Sequence, residues 1–302
     1  MKKVHLTRFA AMATVALMGS TAAWAGTGVG YSWDNEYGIL TLFSTDDYNA
    51  ITITASDVDN LDKSDYGEGI NTIHVQRGAA SATYSTLMLP ATVNVGESDE
   101  IVAAYVPTGY MADEKTMNFS IVEDGKIDAN TPYLVKVTGS PDNFTFTKSG
   151  GSYTIVATGS NEYSSNLPHS CWTFTGSYAK KTWETAPSNV YGYAAAAGEG
   201  YSAGQFVKVG SNVTLLPLRA YLTCTSSGYS NNGLPKSAVE ELPDVINVRL
   251  LGKSGETLSI GTMNTRTGEI QMQDRYYDLK GRKLNGKPQN KIMYVNKKVI
   301  KH

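Results

Sequence analysis

Met117-Asn118-Phe119-Ser120-Ile121-Val122, Glu123-Asp124-Gly125, Tyr133-Leu134-Val135-Lys136-Val137, Gly139-Ser140-Pro141 and Asn143-Phe144-Thr145-Phe146-Thr147 read in order as strand, turn, strand, turn, strand. Met117, Phe119 and Ile121 alternate with polar residues, as do Phe144 and Phe146, and this two-residue period places one side of each run in a core. The turn residues between them supply left-handed backbone, a fixed φ, or local side-chain hydrogen bonds.

Working outward, runs of the same kind recur at 38–43, 50–55, 70–76, 84–89, 101–105, 153–157, 171–175, 190–193, 205–209, 219–224 and 245–251, with further turns such as Ser149-Gly150-Gly151 and Gly210-Ser211-Asn212. The 19 Tyr, 29 Gly and only 18% charged residues suit short pleated strands and tight turns, so few helices are expected. The expectation is an all-β chain whose main module is a jelly-roll-like β-sandwich; the variable loop lengths argue against a closed barrel. Residues 1–25 read as a leader, 26–69 as an N-terminal β segment, 70–252 as the main module, and 253–302 as a linker with a small C-terminal β domain.

The leader reading rests on Lys2, Lys3 and Arg8, the apolar run Phe9 to Met18, and Ala23-Trp24-Ala25, the small-x-small pattern of a signal peptidase site. The apolar run breaks at Gly19-Ser20-Thr21, short of the ~18 residues that a membrane helix needs. The net charge of −2 is unevenly divided: from Arg275 onward nine basic residues face one acid, Asp278, while the leader holds three more basic residues. The stretch from Gly26 to Asp274 therefore carries −13, which argues against nucleic-acid binding by the body.

Cys171 and Cys224 are the only two cysteines, both within expected strands of a chain that reads as exported. A disulfide is the natural reading, with two buried thiols as the alternative. With only His74, His169 and His302 beside them in the exported part, a zinc site is not expected.

No Gly-x-Ser-x-Gly elbow, His-Glu-x-x-His pair or phosphate loop occurs, and no catalytic residue is assigned. His169 beside Cys171 reads as a turn residue after Pro168. The acid-rich stretch with Asp57, Asp59, Asp62 and Asp65 is a weak calcium candidate, because Leu61 and Asp62 occupy the wrong positions for a helix-loop-helix calcium loop; a solvated polar loop is the plainer reading, and no other metal or cofactor is expected. Trp33, Trp172, Trp183 and Tyr178, with Tyr191, Tyr193 and Tyr201, are candidates for a ring platform that stacks on sugars, against the alternative of core packing.

Four blocks, Thr83 to Pro90, Ile127 to Val135, Gly204 to Gly210 and Leu216 to Leu222, together resemble a β-rich module of secreted and cell-surface proteins of Gram-negative bacteria with type IX secretion. The end of the chain resembles the C-terminal sorting domain of such proteins: Tyr277-Asp278-Leu279, Gly281-Arg282, then Tyr294-Val295-Asn296. The second half departs from the pattern at two glycines, one before the strand and one after Asn296, which predicts a looser or differently turned hairpin. The resemblance implies a tail read by secretion machinery at the outer membrane and a body displayed at the surface or released. The expected role is that of a non-enzymatic surface or envelope protein, a binding, adhesion or structural module with an extracellular glycan or surface protein as partner. A carbohydrate-binding module is the narrower alternative, and a secreted hydrolase with a carboxylate pair hidden in sequence is the other.

Overall fold

The computed structural model describes residues 30–34, 37–62, 69–78, 83–139, 141–168, 170–225, 242–259, 261–263, 270–272, 276–277, 292–295 and 298–301. The leader with Ala23 and Ala25 lies outside them. Strands β1 (Tyr31–Asp34) and β2 (Ile39–Phe43) pair antiparallel, and after helix α1 (Ala55–Asp62) strand β3 (Thr72–Gln76) lies parallel to β2. Strands β4 (Tyr84–Leu87), β5 (Val93–Asn94), β6 (Ile101–Met111), β7 (Thr116–Ile121), β8 (Lys126–Ile127) and β9 (Tyr133–Val137) follow. β10 (Asn143–Thr147) then returns to β3 and completes a four-stranded sheet, while β5 and β8 make a short ribbon.

Next come β11 (Glu162–Asn166), β12 (Trp172–Ser177), β13 (Lys181–Trp183), β14 (Val190–Tyr193), β15 (Phe206–Lys208), β16 (Val213–Leu215), β17 (Arg219–Cys224), β18 (Val245–Leu251) and β19 (Thr257–Ser259). An eleven-stranded sheet runs β11-β12-β17-β14-β15-β18-β7-β6-β9-β4, with β19 beside β18. β13 and β16 form a separate ribbon. The pair β7–β18 is parallel, like β2–β3; every other ladder is antiparallel. At the end of the chain β20 (Gly261–Met263) pairs with β21 (Ile270–Met272), and β22 (Tyr276–Tyr277), β23 (Ile292–Val295) and β24 (Lys298–Lys301) make a three-stranded sheet.

The large sheet folds over on itself. Phe119 of β7 and Phe174 of β12 stand five strands apart in the sheet order, yet their rings pack edge to face with centroids 5.6 Å apart. Tyr110 of β6 likewise reaches Trp172 of β12, with the rings tilted and centroids 4.9 Å apart. The inner faces thus enclose one core of Met117, Phe119, Leu134, Trp172, Phe174, Phe206 and Leu222. Each such side chain taken out of water is worth about 1.5–3 kcal/mol, before the entropy of ordering it.

β9 shows why a second core exists. It reads Tyr-Leu-Val-Lys-Val: Leu134 faces the first core, while Tyr133, Val135 and Val137 face the other way, onto Leu40, Leu42, Ile73, Val75, Phe144 and Phe146 of the four-stranded sheet. A strand buried on both faces is apolar in nearly every position rather than alternating. The result is an all-β sandwich of three layers: the four-stranded sheet, the β6-β9-β4 part of the large sheet, and its folded-over β12-β17-β14-β15 half. The open edge of β4 meets the start of β17, where Met88 N donates to Leu218 O at 3.0 Å and Ala220 N to Thr86 Oγ1 at 3.0 Å. Across this seam a Cβ on Gly176 would stand 2.5 Å from Met88 Sδ, so a larger residue there would displace the Met88 side chain.

Several expectations need correction. Residues 50–55 and 153–157 form no strand: each contributes one isolated bridge, Ala50 to Ala179 and Ile155 to Ala91, and the helix α1 begins at Ala55. The helix has a local cause. Thr54 Oγ1 accepts from Asp57 N at 3.2 Å, and the Asp57 carboxylate accepts from Thr54 N at 2.8 Å, a reciprocal cap at the helix start. Among the described residues of the N-terminal segment, β2 runs parallel to β3 and both feed the same core.

Candidate functional site: the outer face of the β11-β12-β17 sheet

Strand register sets out this face before any contact is considered. Glu162, Ser177 and Arg219 stand opposite one another across β11, β12 and β17, and Ser164, Thr175 and Tyr221 make the next row. Asn166, Thr173 and Thr223 make the third. All three rows share the side opposite Trp172, Phe174 and Leu222, because alternate residues of a strand point to opposite faces. The rows are stitched by side chains: Ser164 and Thr175 hydroxyls lie 2.8 Å apart, and Thr173 Oγ1 donates to Asn166 Oδ1 at 3.0 Å.

The β13–β16 ribbon covers part of this face. Trp183 and Leu215 pack on Val190, Val209 and Tyr221, and the Trp183 ring meets Tyr221 edge to face at 5.4 Å. At the ribbon's rim Lys181 Nζ donates to Glu162 Oε1 at 2.7 Å and to the Tyr221 hydroxyl at 2.9 Å. Tyr221 in turn donates to Glu162 Oε1 at 3.0 Å. The Lys181 ammonium also lies 4.9 Å from the Tyr221 ring centroid and 5.8 Å from that of Trp183.

These contacts fix the charge states. Burial works against the Lys181 ammonium, but its hydrogen bonds to Glu162 and Tyr221 outweigh that and raise its pKa. Burial, with the Glu162 charge, raises the Tyr221 phenol despite the opposing Lys181. The Lys181 ammonium therefore stays charged and the Tyr221 phenol stays neutral at neutral pH. Glu162 and Lys181 remain about a third exposed, at 39% and 34%, so both can meet a ligand. With Glu162 as its single carboxylate, this cluster lacks the acid pair of glycoside hydrolysis and has the make-up of a polar binding strip beside one indole.

The sequence-expected residues separate in space. Trp172 is 2% exposed, wedged between Tyr110 and Tyr191, and Tyr178 is fully buried with its hydroxyl donating to Asn130 Oδ1 at 2.7 Å. Neither offers a ring to a ligand, which corrects the expectation of a shared platform. Trp33 is half-buried and stacks on Tyr31 at 6.0 Å, in the four-stranded sheet and apart from Trp183. Trp183 alone of the four stands on the outer face described here. Cys171 and Cys224 are joined in a disulfide with Cα atoms 4.7 Å apart. Cys171 occupies a bend just before β12 rather than the strand itself, so both it and Trp172 are buried without obeying strand alternation.

Asp57 is committed to the helix cap; burial acts to raise its carboxyl, and bonds from Thr54 and Tyr31 more than offset this to hold it below the usual range. Asp59 is exposed two residues further along α1, and residues two apart on a helix do not share a face. Asp62 ends α1, and Asp65 lies outside the described residues. No group of three or more metal-ligating side chains is found among the described residues. His74 shares a 3.0 Å hydrogen bond with Thr145, and His169 and His302 lie outside the described residues.

In the tail Tyr277 pairs with Tyr294, and Val295 pairs with Lys298, with positions 296 and 297 between them in sequence, at one end of a hairpin ladder. Asp278, Leu279, Gly281, Arg282 and Asn296 lie outside the described residues. No helix among the described residues is long and apolar enough to cross a membrane.

No protein-family model, curated protein or solved structure matches this chain.

Glu162, Lys181 and Tyr221 were missed by sequence reasoning. Glu162-Tyr163-Ser164-Ser165-Asn166 has no apolar alternation, and Lys181-Thr182-Trp183 is too short to show a period. The one available signal was the alternation of Arg219-Ala220-Tyr221-Leu222-Thr223-Cys224, which turns Tyr221 to the side opposite Ala220 and Leu222.

Proposed function

We propose that this chain is an exported, non-enzymatic surface or envelope protein whose body acts as a binding or structural module and whose C-terminal tail is handled by the secretion machinery of the outer membrane. The binding reading is carried by one observation: Lys181 and Glu162, both partly exposed, are locked together by the buried Tyr221 hydroxyl beside a half-buried Trp183. A preset pair of charges next to an indole costs little entropy when a partner arrives. Export is supported by the leader and the tail residues, and a disulfide between the bend before β12 and the end of β17 suits an oxidising compartment.

The test is cellular. Removing residues 277–302 leaves a folded body that stays in the periplasm, whereas surface display of the truncated chain at the normal level refutes the tail's role.

A carbohydrate ligand is the narrower reading, favoured by the Trp183 ring at the end of a strip of Ser164, Asn166 and Thr173 hydroxyl and amide groups. Retention on insoluble polysaccharides that falls at least tenfold in Trp183→Ala supports it; retention unchanged in that variant, or absent in the native chain, removes it.

A further inference from the structure

Two arginines at the seam between the layers, Arg77 fully buried and Arg219 partly exposed with a buried Nε, have no ion-pair partner among the described residues. Ser44 follows β2 and Arg77 follows β3; Ser44 N donates to Gln76 O at 2.8 Å, and Ser44 Oγ donates to Pro217 O at 2.5 Å. That second bond ties the corner of the four-stranded sheet to the segment leading into β17, where Arg219 stands. From the other side, Arg77 Nη2 donates to Ser85 Oγ at 2.6 Å in β4, and the next residue, Thr86, accepts from Ala220 N at 3.0 Å. Both residues thus stand near the junction of β3, β4 and β17, Arg219 on the side of β17 that also carries Tyr221, and Arg77 lies within reach of the Arg219 charge.

Arg77 is 1% exposed and lies over the Phe144 ring at 4.5 Å. Its Nε is buried and has no hydrogen-bond partner, and the same is true of Arg219 Nε and of Thr45 Oγ1, beside Ser44. Neither arginine makes an ion pair among the described residues. Arg249 provides the contrast: its Nε is also without a partner, but its guanidinium is matched by Glu114.

Guanidinium does not give up its proton near neutral pH, so both charges persist. Burial first, and the Arg219 charge second, hold Arg77 well below its ordinary pKa, and burial lowers Arg219 to about 10. The Phe144 ring offsets part of this cost and a water molecule could satisfy one N–H, but neither supplies an opposite charge. The Nε–Nη edge of a guanidinium presents two parallel donors, matched to two oxygens of one oxyanion.

We propose that this seam is an oxyanion site, in which Arg77 and Arg219 together hold a small sulfate, phosphate or carboxylate group between the four-stranded sheet and β17. The site shares with the outer face the row that ends in Arg219, but it uses none of Lys181, Glu162, Tyr221 and Trp183, so either can fail alone.

Thermal unfolding in chloride buffer, with sodium sulfate, phosphate or acetate replacing chloride at constant ionic strength, tests it on the native chain, Arg219→Gln, Arg77→Met and Arg249→Gln. The native chain and Arg249→Gln should show a saturating rise in Tm with at least one oxyanion. Arg219→Gln should weaken the apparent affinity about tenfold or more, the loss of one charge-assisted contact, and Arg77→Met should abolish the saturating rise. Should Arg77→Met fail to fold, the comparison of Arg219→Gln with Arg249→Gln decides. A response to acetate alone assigns a carboxylate; a response to sulfate and phosphate assigns a tetrahedral ion. The proposal is overturned if Tm rises without saturation and equally in all the folded proteins, as general salt exclusion does. It is also overturned if Arg77→Met is more stable than the native chain in every buffer, as relief of an unmatched buried charge would be.

Discussion

The two faces of β12 and β17 are built from alternate residues of the same strands, and they do opposite work. Inward, Trp172, Phe174 and Leu222 fill the core of the folded-over sheet. Outward, Thr173, Thr175 and Tyr221 form hydroxyl rows on which the Lys181–Glu162 pair is mounted. A one-residue slip of register would exchange these sets, so the apolar face that stabilises the layer also determines which side chains can meet a ligand. The inner face carries stability, and the outer face is the one proposed to carry recognition.

The contrast breaks most readily at its inner side. Phe174→Ala should cost about 3–5 kcal/mol in urea unfolding, as the ring touches both Phe119 and Phe206; a loss near zero would mean that the sheet does not fold over. Replacing both Cys171 and Cys224 by serine should cost about 3–4 kcal/mol, since their bridge spans 53 residues and restricts the unfolded chain. Equal stability of the native chain with and without reductant would contradict this.

A pH titration separates buried from rim hydroxyls. Burial raises the phenols of Tyr31, Tyr84, Tyr153, Tyr178, Tyr191 and Tyr193, with Tyr84 at about 12. A phenol that stays protonated in the fold but ionises near pH 10 when unfolded leaves the unfolded state with fewer protons, so stability falls as pH rises. Full stability is expected below about pH 10, with a progressive loss towards pH 12 accompanied by tyrosinate absorbance at 295 nm in step with unfolding. Tyrosine ionisation complete near pH 10 in a still-folded chain would place these rings at the surface.

The smallest stability effect belongs to the outer face. Lys181→Met should change stability by no more than about 1 kcal/mol, because the pair is a third exposed and screened, yet it should weaken any ligand held by the strip. A core-sized loss of stability would return this cluster to a structural role.

How much of this was legible follows from the same two faces. The runs at 133–137, 143–147, 219–224 and 245–251 match β9, β10, β17 and β18 because packing in a layered core demands regular apolar positions. The fold class and the disulfide therefore follow from pattern and composition. The strip was hidden, since β11 and β13 owe their places to pairing with neighbours rather than to an apolar period of their own. Helix α1 was readable in principle from Thr54 and Asp57, with Val58 and Leu61 turned to the core, but the density of acids suggested a loop. The arginines of the seam give no signal at all in one dimension, because only the fold brings Arg77 within reach of the Arg219 charge.

The claim on which the rest depends is that this disulfide-bonded β body works outside the inner membrane. Intact-mass analysis of the protein from its native cells, after alkylation without reductant, tests it most directly. The account predicts a chain beginning at Gly26 with Cys171 and Cys224 both protected from alkylation, recovered from the envelope or medium. A chain still carrying residues 1–25 with two alkylated cysteines in the cytosol would contradict it.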